Sequence, residues 1–286
     1  MKVEIFDVEL GQCAMIYCPP YGKKLMIDAG HKSLRWWPSV HFARQPIELL
    51  ILSNYDEDHA SDIAAVRQHC GVNAISRNMT VTASRLRLMK AQGMGPGIQH
   101  VHDWICWTEA QAGGAAVPVD LGHVSKKSYC NTYGAGLGQF TDTNNLSVAT
   151  FVSYGRFTIL FPGDLEVAGW KQIMQQPGFQ ADLAQTTVLV ASHHGRENGC
   201  YDELFENWRP MGVIISDAGI EHATQETEDW YAARASGCRT RAGVNRKVFT
   251  TRRDGKITID VDAQGQWFIE TSAARPVGAL ATLLTS

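Results

Sequence analysis

Residues 49–59 read LLILSNYDEDH, a short apolar run followed at once by potential metal ligands. The apolar run 49–52 has the character of a strand that is buried on both faces of a sheet. Directly after it, within six positions, come Asn54, Asp56, Asp58 and His59. A turn after a strand can point alternate side chains at one centre, and divalent cations require carboxylates and imidazoles. The segment therefore predicts a metal site, although alone it would also suit an acidic surface loop.

Two further strand ends carry residues of the same kind. Asp164 follows the apolar run 157–161 through a Pro-Gly turn, and His193 and His194 follow the apolar run 188–191. Taken singly, a Gly-Asp turn and a pair of hydrogen-bonded histidines are ordinary loop features. Three strand ends that each deliver ligands are hard to explain as separate accidents, so we predict one shared metal centre.

The rest of the pattern predicts strands that alternate with helices. We expect strands at 3–9, 14–18, 24–27, 49–52, 146–153, 157–161, 187–191, 212–215, 247–251, 256–262 and 267–270. We expect helical segments at 60–71, 82–91, 167–176, 201–206 and 224–235. The glycine-rich stretch 93–138 predicts surface loops, with only 116–121 strand-like. Two β-rich halves that each carry helices favour a helix–sheet–sheet–helix sandwich in one domain, 1–286, with a loose tail at 273–286.

The composition is that of an ordinary globular protein, with 286 residues, 44% apolar and 19% charged. The net charge of -3 gives no global attraction to a polyanion, so a nucleic-acid substrate would need a local basic patch. Seven cysteines without a CxxC pair indicate neither a zinc ribbon nor a complete disulfide framework. The chain opens on a predicted strand rather than a secretory signal, and no apolar run approaches the roughly 18 residues of a membrane span. We therefore predict a cytoplasmic protein with reduced thiols and no membrane association.

In its motifs the chain resembles the metallo-β-lactamase superfamily, and most closely the nuclease-type domain of the bacterial DNA-uptake protein ComEC and its stand-alone soluble relatives. The first motif of that group is His-x-Asp-x-Asp-His, and here it is Asn54-x-Asp56-x-Asp58-His59. The resemblance implies the metallo-β-lactamase fold, an α/β (α+β) four-layer αββα sandwich. It covers nearly the whole chain through residues 6–8, 25–30, 144–147, 161–164, 193–195, 213–217, 222, 249–251 and 254–257.

The resemblance also implies two divalent metal ions, Mn²⁺ or Zn²⁺, with Mg²⁺ as a further candidate. The implied ligands are, for one metal, Asp58, His59, the bridging Asp164 and His194, and, for the other, Asp56, Asp164 and position 54. Asn54 departs from the family, because a neutral amide oxygen replaces an imidazole. It predicts a weaker second site, or one left empty, and leaves open a catalytically impaired member. Asp28 and Ser147 are interpreted as structural supports, and Asn144 or Asn145 as groups that either support the ligands or contact the substrate.

Two metals that activate a shared water predict hydrolysis, and carboxylate-rich dinuclear sites favour a phosphodiester. Nucleic acid or a small phosphodiester is therefore the expected substrate. The candidate catalytic residues are Asp58, His193 and His222, of which either histidine is expected to protonate the leaving alkoxide. The alternatives are a hydrolase of another ester or amide, and a binding or regulatory domain that has lost its first ligand.

Basic and aromatic side chains are candidates for contacts with a phosphate or a base. Solvated surface charge and aromatic packing are the commoner roles of such residues. The candidates are Arg77, Arg85, Arg87, Lys90, Lys126, Lys127, Arg246, Lys247, Arg252, Arg253, Trp36, Trp37, Trp104 and Trp107.

Overall fold

The computed structural model describes residues 1–33, 35–111, 118–218 and 223–272. Its strands are β1 (Lys2–Ile5), β2 (Ala14–Cys18), β3 (Lys23–Ile27), β4 (Leu49–Ile51), β5 (Ile75–Ser76), β6 (Ser125–Cys130), β7 (Thr132–Tyr133), β8 (Gln139–Phe140), β9 (Val148–Tyr154), β10 (Phe157–Phe161), β11 (Val188–Val190), β12 (Gly212–Ile215), β13 (Cys238–Arg239), β14 (Asn245–Arg246), β15 (Val248–Thr250), β16 (Ile257–Val261) and β17 (Trp267–Thr271). Its α-helices are α1 (Pro38–His41), α2 (Glu57–Ala60), α3 (Ile63–Val66), α4 (Ala83–Met89), α5 (Pro96–Ala110), α6 (Val167–Ile173), α7 (Phe179–Ala184), α8 (Glu228–Arg234) and α9 (Thr251–Asp254). Short turns of other helical types cover Arg67–Gly71, Ser192–Gly195, Glu197–Gly199, Asp202–Phe205 and Ala223–Gln225.

Two large sheets form the centre of the molecule. The first has the strand order β17-β16-β1-β2-β3-β4-β5, and the second has the order β15-β12-β11-β10-β9-β6. In the second sheet β10, β11, β12 and β15 run parallel, and in the first sheet β3, β4 and β5 do so. Parallel neighbours bring their carboxyl ends to one edge, where open α/β sheets bind ligands.

Alternation along the strands explains how the sheets pack. In β10, Phe157, Ile159 and Phe161 face a core shared by both sheets, whereas Leu160 faces the opposite side. Successive strand residues point to opposite faces, so a strand with apolar residues throughout must be covered on both. Fully burying such a side chain contributes roughly 2 kcal/mol each. The outer face of each sheet therefore needs its own apolar cover.

Helices supply that cover on both sides. Residues of α3, α4 and α5 pack on the first sheet, and residues of α6, α7 and α8 pack on the second. The layers are thus helix, sheet, sheet, helix, as the sequence predicts. Among the residues described, no helix combines the length and the apolar character needed to cross a bilayer.

The prediction of surface loops over 93–138 is wrong in three places. Helix α5 and strands β6 and β7 lie there, and α5 buries Ile98, Val101 and Ile105 at helical spacing. Three of the glycines that suggested loops, at 93, 95 and 97, lie before or at the start of this helix, which begins at Pro96, where the missing N–H of proline costs nothing. Residues 118–121 are not a strand, residues 116–117 lie outside the described part of the chain, and so does the tail 273–286.

The loops after β1 and β3 are hydrogen-bonded to the segment after β4 that carries the candidate ligands. The backbone N–H groups of Gln12 and Ala29 donate to the carbonyl oxygens of Asp58 and His59 at 3.0 and 2.9 Å. Gly30 lies so close that an added Cβ would be 1.6 Å from the Asp58 carbonyl oxygen. Only glycine fits there without moving the backbone that carries Asp58.

Gly30→Ala is expected to lower the free energy of unfolding by about 3 kcal/mol, because two backbones must separate. Gly22→Ala is the control, since nothing lies within 4 Å of its added Cβ, and its left-handed backbone should cost only about 1 kcal/mol. Urea unfolding followed by tryptophan fluorescence measures both. Equal losses for the two variants would contradict the proposed backbone contact.

Candidate metal centre

Three turns meet at one edge of the sandwich, one each after β4, β10 and β11. They are joined by the backbone, because the N–H of His193 donates to the carbonyl oxygen of Gly163 at 3.1 Å. The N–H of Val148 donates to the carbonyl oxygen of Ser53 at 2.8 Å, which fixes the first turn to the second sheet. Side chains from both sheets are thereby held against each other.

Four of the predicted ligands come together at this edge. His59 Nε2 lies 3.1 Å from Asp164 Oδ1. His194 Nε2 lies 3.3 Å from Asp58 Oδ2 and 3.8 Å from Asp164 Oδ1. One ligand atom from each of Asp58, His59 and His194 fits within a span of 4.8 Å. The geometry is that of side chains facing a common point.

Hydrogen bonds on the far side of each ring fix which nitrogen faces that point. His59 Nδ1 lies 2.9 Å from Asp28 Oδ2, and His194 Nδ1 lies 2.9 Å from the carbonyl oxygen of Ser216. An ionised carboxylate and a carbonyl only accept hydrogen bonds, so both Nδ1 atoms carry the proton. The Nε2 atom of each neutral ring then presents a lone pair to the centre, the arrangement found in metal-binding histidines.

These two Nε2 atoms are buried and have no hydrogen-bond partner. Buried polar atoms without a partner are rare and indicate an absent ligand or ion. Two imidazole nitrogens and two carboxylates are also a donor set that suits Zn²⁺ and Mn²⁺. Asp58, His59, Asp164 and His194 therefore fit one divalent cation.

The electrostatics of the cluster agree with that fit. Burial alone would lower the pKa of His59, but the carboxylates of Asp164 and Asp28 hold it well above its ordinary value. The pKa of His194 is raised by Asp164 and Asp58 against the same effect of burial. Burial would raise the pKa of Asp164, yet the two histidines keep it low. The carboxylates thus stay ionised and attract positive charge to the centre.

The turn that presents His194 has an unusual backbone. His193 and His194 have φ values of 50° and 54°, and Gly195 continues at 74°. Left-handed conformations are uncommon for residues with a side chain and cluster at functional sites. A Cβ at position 195 would lie 2.8 Å from Ile215, so glycine also allows the turn to pack closely.

Asn54 and Asp56, the ligands predicted for a second metal, have other partners. Asn54 is fully buried, and its Nδ2 donates to Asn144 Oδ1 at 3.2 Å. Asp56 forms an ion pair with Lys90 and accepts a hydrogen bond from Thr143 at 2.9 Å. This pair of residues does not offer a cation the open, anionic donor set of the first group.

His193 lies beside the centre, with its ring centroid 6.4 Å from that of His194. Its Nδ1 is buried without a hydrogen bond and lies 3.7 Å from Glu166 Oε1. Burial lowers the pKa of His193, with Asp164 acting in the opposite direction. Glu166 also accepts hydrogen bonds from Asn144 and Asn198 at 3.0 and 2.7 Å. The remaining candidate, His222, lies outside the described residues.

The sequence analysis did not identify Glu166 or Thr143, and it named Lys90 only as a candidate phosphate contact. Of the supports that it named, Asp28 also accepts the N–H of Ser53 at 2.7 Å, and Ser147 accepts the N–H of Asp164 at 3.0 Å. Glu166 lies two residues after Asp164, and this proximity was the only sequence feature pointing to it.

Many of the side chains predicted to contact a phosphate or a base have partners within the protein instead. Arg77 is buried and donates to two backbone carbonyls, and Arg252 pairs with Asp217 and Glu228. Trp36 stacks on Phe6 with ring centroids 4.5 Å apart. Other members with intramolecular partners are Arg85, Lys127, Arg246, Lys247 and Arg253. Each of these side chains thus has a partner within the protein.

Comparison with known proteins supports the fold. No protein-family model matches the chain, and neither does any curated protein. The structure of the CmlA beta-hydroxylase E377D mutant matches with a TM-score of 0.50 and 11% identity, over 91% of this chain and 54% of that one. Zinc-bound PqqB from Methylobacterium extorquens gives a TM-score of 0.32 and 13% identity, over 66% of this chain and 72% of that one.

At 11% identity the likeness to CmlA establishes the fold alone, and this chain spans about half of that structure. Two sheets between helical layers, with ligands at the strand ends of one edge, constitute the metallo-β-lactamase αββα sandwich. The fold predicted from the resemblance is confirmed.

Asp28→Asn is expected to weaken zinc binding by about 10- to 100-fold, because an amide no longer holds His59 by a charge-assisted hydrogen bond. The exposed Asp262, in the hairpin at the opposite end of β16, supplies the control Asp262→Asn. Competition with a chromogenic chelator measures both affinities. Equal affinities in the two variants would exclude an orienting role for Asp28.

Proposed function

We propose that this chain is a metal-dependent hydrolase that cleaves phosphodiesters. The observation that carries the proposal is the meeting of Asp58, His59, Asp164 and His194, with two buried Nε2 atoms that face carboxylate oxygens without a hydrogen bond. Mn²⁺ and Zn²⁺ are the expected ions for this donor set, with Mg²⁺ as a weaker candidate. A divalent cation bound there supplies Lewis acidity, which lowers the pKa of a water molecule and offsets negative charge on the attacked phosphorus group.

The residues around the centre orient the ligand imidazoles and supply a proton to the leaving group. Asp28 and the Ser216 carbonyl keep both ligand rings in the Nδ1–H tautomer. His193, whose pKa burial lowers, lies at the edge of the centre with Glu166 within reach of its Nδ1. A neutral imidazole that gains a proton during turnover can return it to the leaving alkoxide, and Glu166 stabilises the charged ring.

The preference for a phosphodiester rests on two supports. The donor set is rich in carboxylates, as in many phosphoryl-transfer sites, and the chain resembles nuclease-type domains in its motifs. Because many of the basic side chains singled out above are paired internally, the proposed substrate is held mainly at the centre itself. We further propose a cytoplasmic location, with which the seven free cysteines agree.

Hydrolysis of bis-p-nitrophenyl phosphate, single-stranded DNA and double-stranded DNA tests the proposal. Metal-stripped protein resupplied with Mn²⁺, Zn²⁺ or Mg²⁺ should cleave at least one of them. Asp164→Asn should reduce the rate by at least about 100-fold, because a ligand's charge is lost at the centre. The control is Asp182→Asn, whose carboxylate contacts Lys127 and Tyr129 instead. Metal binding without cleavage of any diester would reject the substrate class while keeping the metal centre.

His193→Asn separates the proton donor from the metal ligands, and asparagine tolerates the left-handed backbone at this position. It should lower kcat on DNA by about 100-fold, because the alkoxide needs a proton. The effect on bis-p-nitrophenyl phosphate should be small, since nitrophenolate leaves without one. Metal content measured on the same samples should not change. Equal losses on both substrates would show that His193 does not act as the acid.

A further inference from the structure

The partners of Asp56 indicate what occupies the place of a second cation. Its Oδ1 contacts the ammonium of Lys90, and its Oδ2 accepts the hydroxyl of Thr143 at 2.9 Å. Both side chains of the ion pair are mostly removed from solvent, with 21% of Lys90 and 29% of Asp56 exposed. Both carboxylate oxygens are therefore engaged by donors from the chain itself.

Helix α4 holds Lys90 beside Asp56. It is the C-cap of α4, and its backbone N–H donates to the carbonyl oxygen of Leu86 at 3.0 Å. The other end of α4 is capped by Thr82, whose hydroxyl accepts the N–H of Arg85. Leu86 anchors the helix in the core beside the first sheet. Because this helix end is anchored and partly buried, the Lys90 ammonium is held beside Asp56 and is not a mobile surface charge.

A chain of hydrogen bonds fixes the orientation of Asn54. Glu166 only accepts when ionised, so the amide nitrogen of Asn144 must face it. The Oδ1 of Asn144 then faces Asn54, so it must be the Nδ2 of Asn54 that donates the hydrogen bond to it. The amide nitrogen of Asn54 is thus used as a hydrogen-bond donor. The family that the chain resembles has an imidazole ligand at this position. The remaining Oδ1 is a single neutral oxygen, a weak ligand by itself.

The ammonium of Lys90 already compensates the negative charge of the Asp56 carboxylate that it contacts. A second divalent cation at Asp56 would have to displace the ammonium or lie against it, and like charges at contact in a partly buried site are unfavourable.

We propose that the ammonium of Lys90 replaces the second metal ion, so that the centre holds one divalent cation and one fixed lysine charge. The inference rests on the metal centre of the proposed function. Lysine binds phosphate as a point charge, so the ammonium would offset charge on a phosphoryl oxygen that a second metal otherwise contacts.

Metal content per chain tests the inference without reference to activity. Protein equilibrated with excess Zn²⁺ or Mn²⁺ and desalted is analysed by native mass spectrometry and elemental analysis. The wild type should hold one ion, and so should Asp56→Asn, because Asp56 is not a ligand. The double variant Asn54→His/Lys90→Met should hold two, since it restores the family's imidazole and removes the competing charge. Lys171→Met, an exposed lysine on α6, is the control and should hold one.

Two ions in the wild type, with one lost in Asp56→Asn, would overturn the inference and leave the metal centre intact. A double variant that is folded by circular dichroism but still holds one ion would also overturn it. No ion in the wild type would reject the metal centre together with the inference. If the double variant does not fold, the counts in the wild type and Asp56→Asn still decide.

Discussion

The buried carboxylate of Asp28 joins the parts on which the candidate centre depends. It follows β3 and accepts hydrogen bonds from His59 Nδ1 and from the backbone of Ser53, so it links one strand end to the ligand-bearing loop of the next. A buried charge without such partners would cost several kcal/mol. The buried carboxylate of Asp28 is therefore compensated only when the fold brings Ser53 and His59 to it. The fold and the candidate site thus depend on the same hydrogen bonds.

The centre concentrates carboxylates and imidazoles where water is largely excluded. His59, Asp164 and His194 are buried, the carboxylate of Asp164 raises the pKa of both histidines, and both histidines lower the pKa of Asp164. In the absence of a cation, protons must serve as the positive charge. A divalent cation would replace these protons and would bind His59 Nε2 and His194 Nε2, which otherwise make no hydrogen bond. The strained turn at His193 and His194 is consistent with such a demand.

The same edge contains a second polar group with a different character. Around Asp56 the chain supplies its own cation and hydroxyl, and around Asn54 it supplies amides that end on Glu166. The group around Asp58 and the two histidines presents carboxylates and imidazole nitrogens to a common point, whereas the carboxylate of Asp56 is already paired with Lys90. The proposal of one cation beside one fixed lysine charge rests on this asymmetry.

The sequence by itself determined the sandwich and the ligand types, since apolar alternation and strand-end motifs are local properties. It failed at α5, where glycines before and at the start of a helix resembled loop residues. Only the tertiary structure decided that Lys90 meets Asp56 across 34 positions and that Asn144 joins Asn54 across 90. Such contacts depend on how helices pack on a sheet and which rotamers hydrogen bonds select, and no short-range pattern records them. The residue types of the candidate ligands are therefore local features of the sequence, whereas the partners of Asn54 and Asp56, on which the proposed number of cations depends, are set by packing.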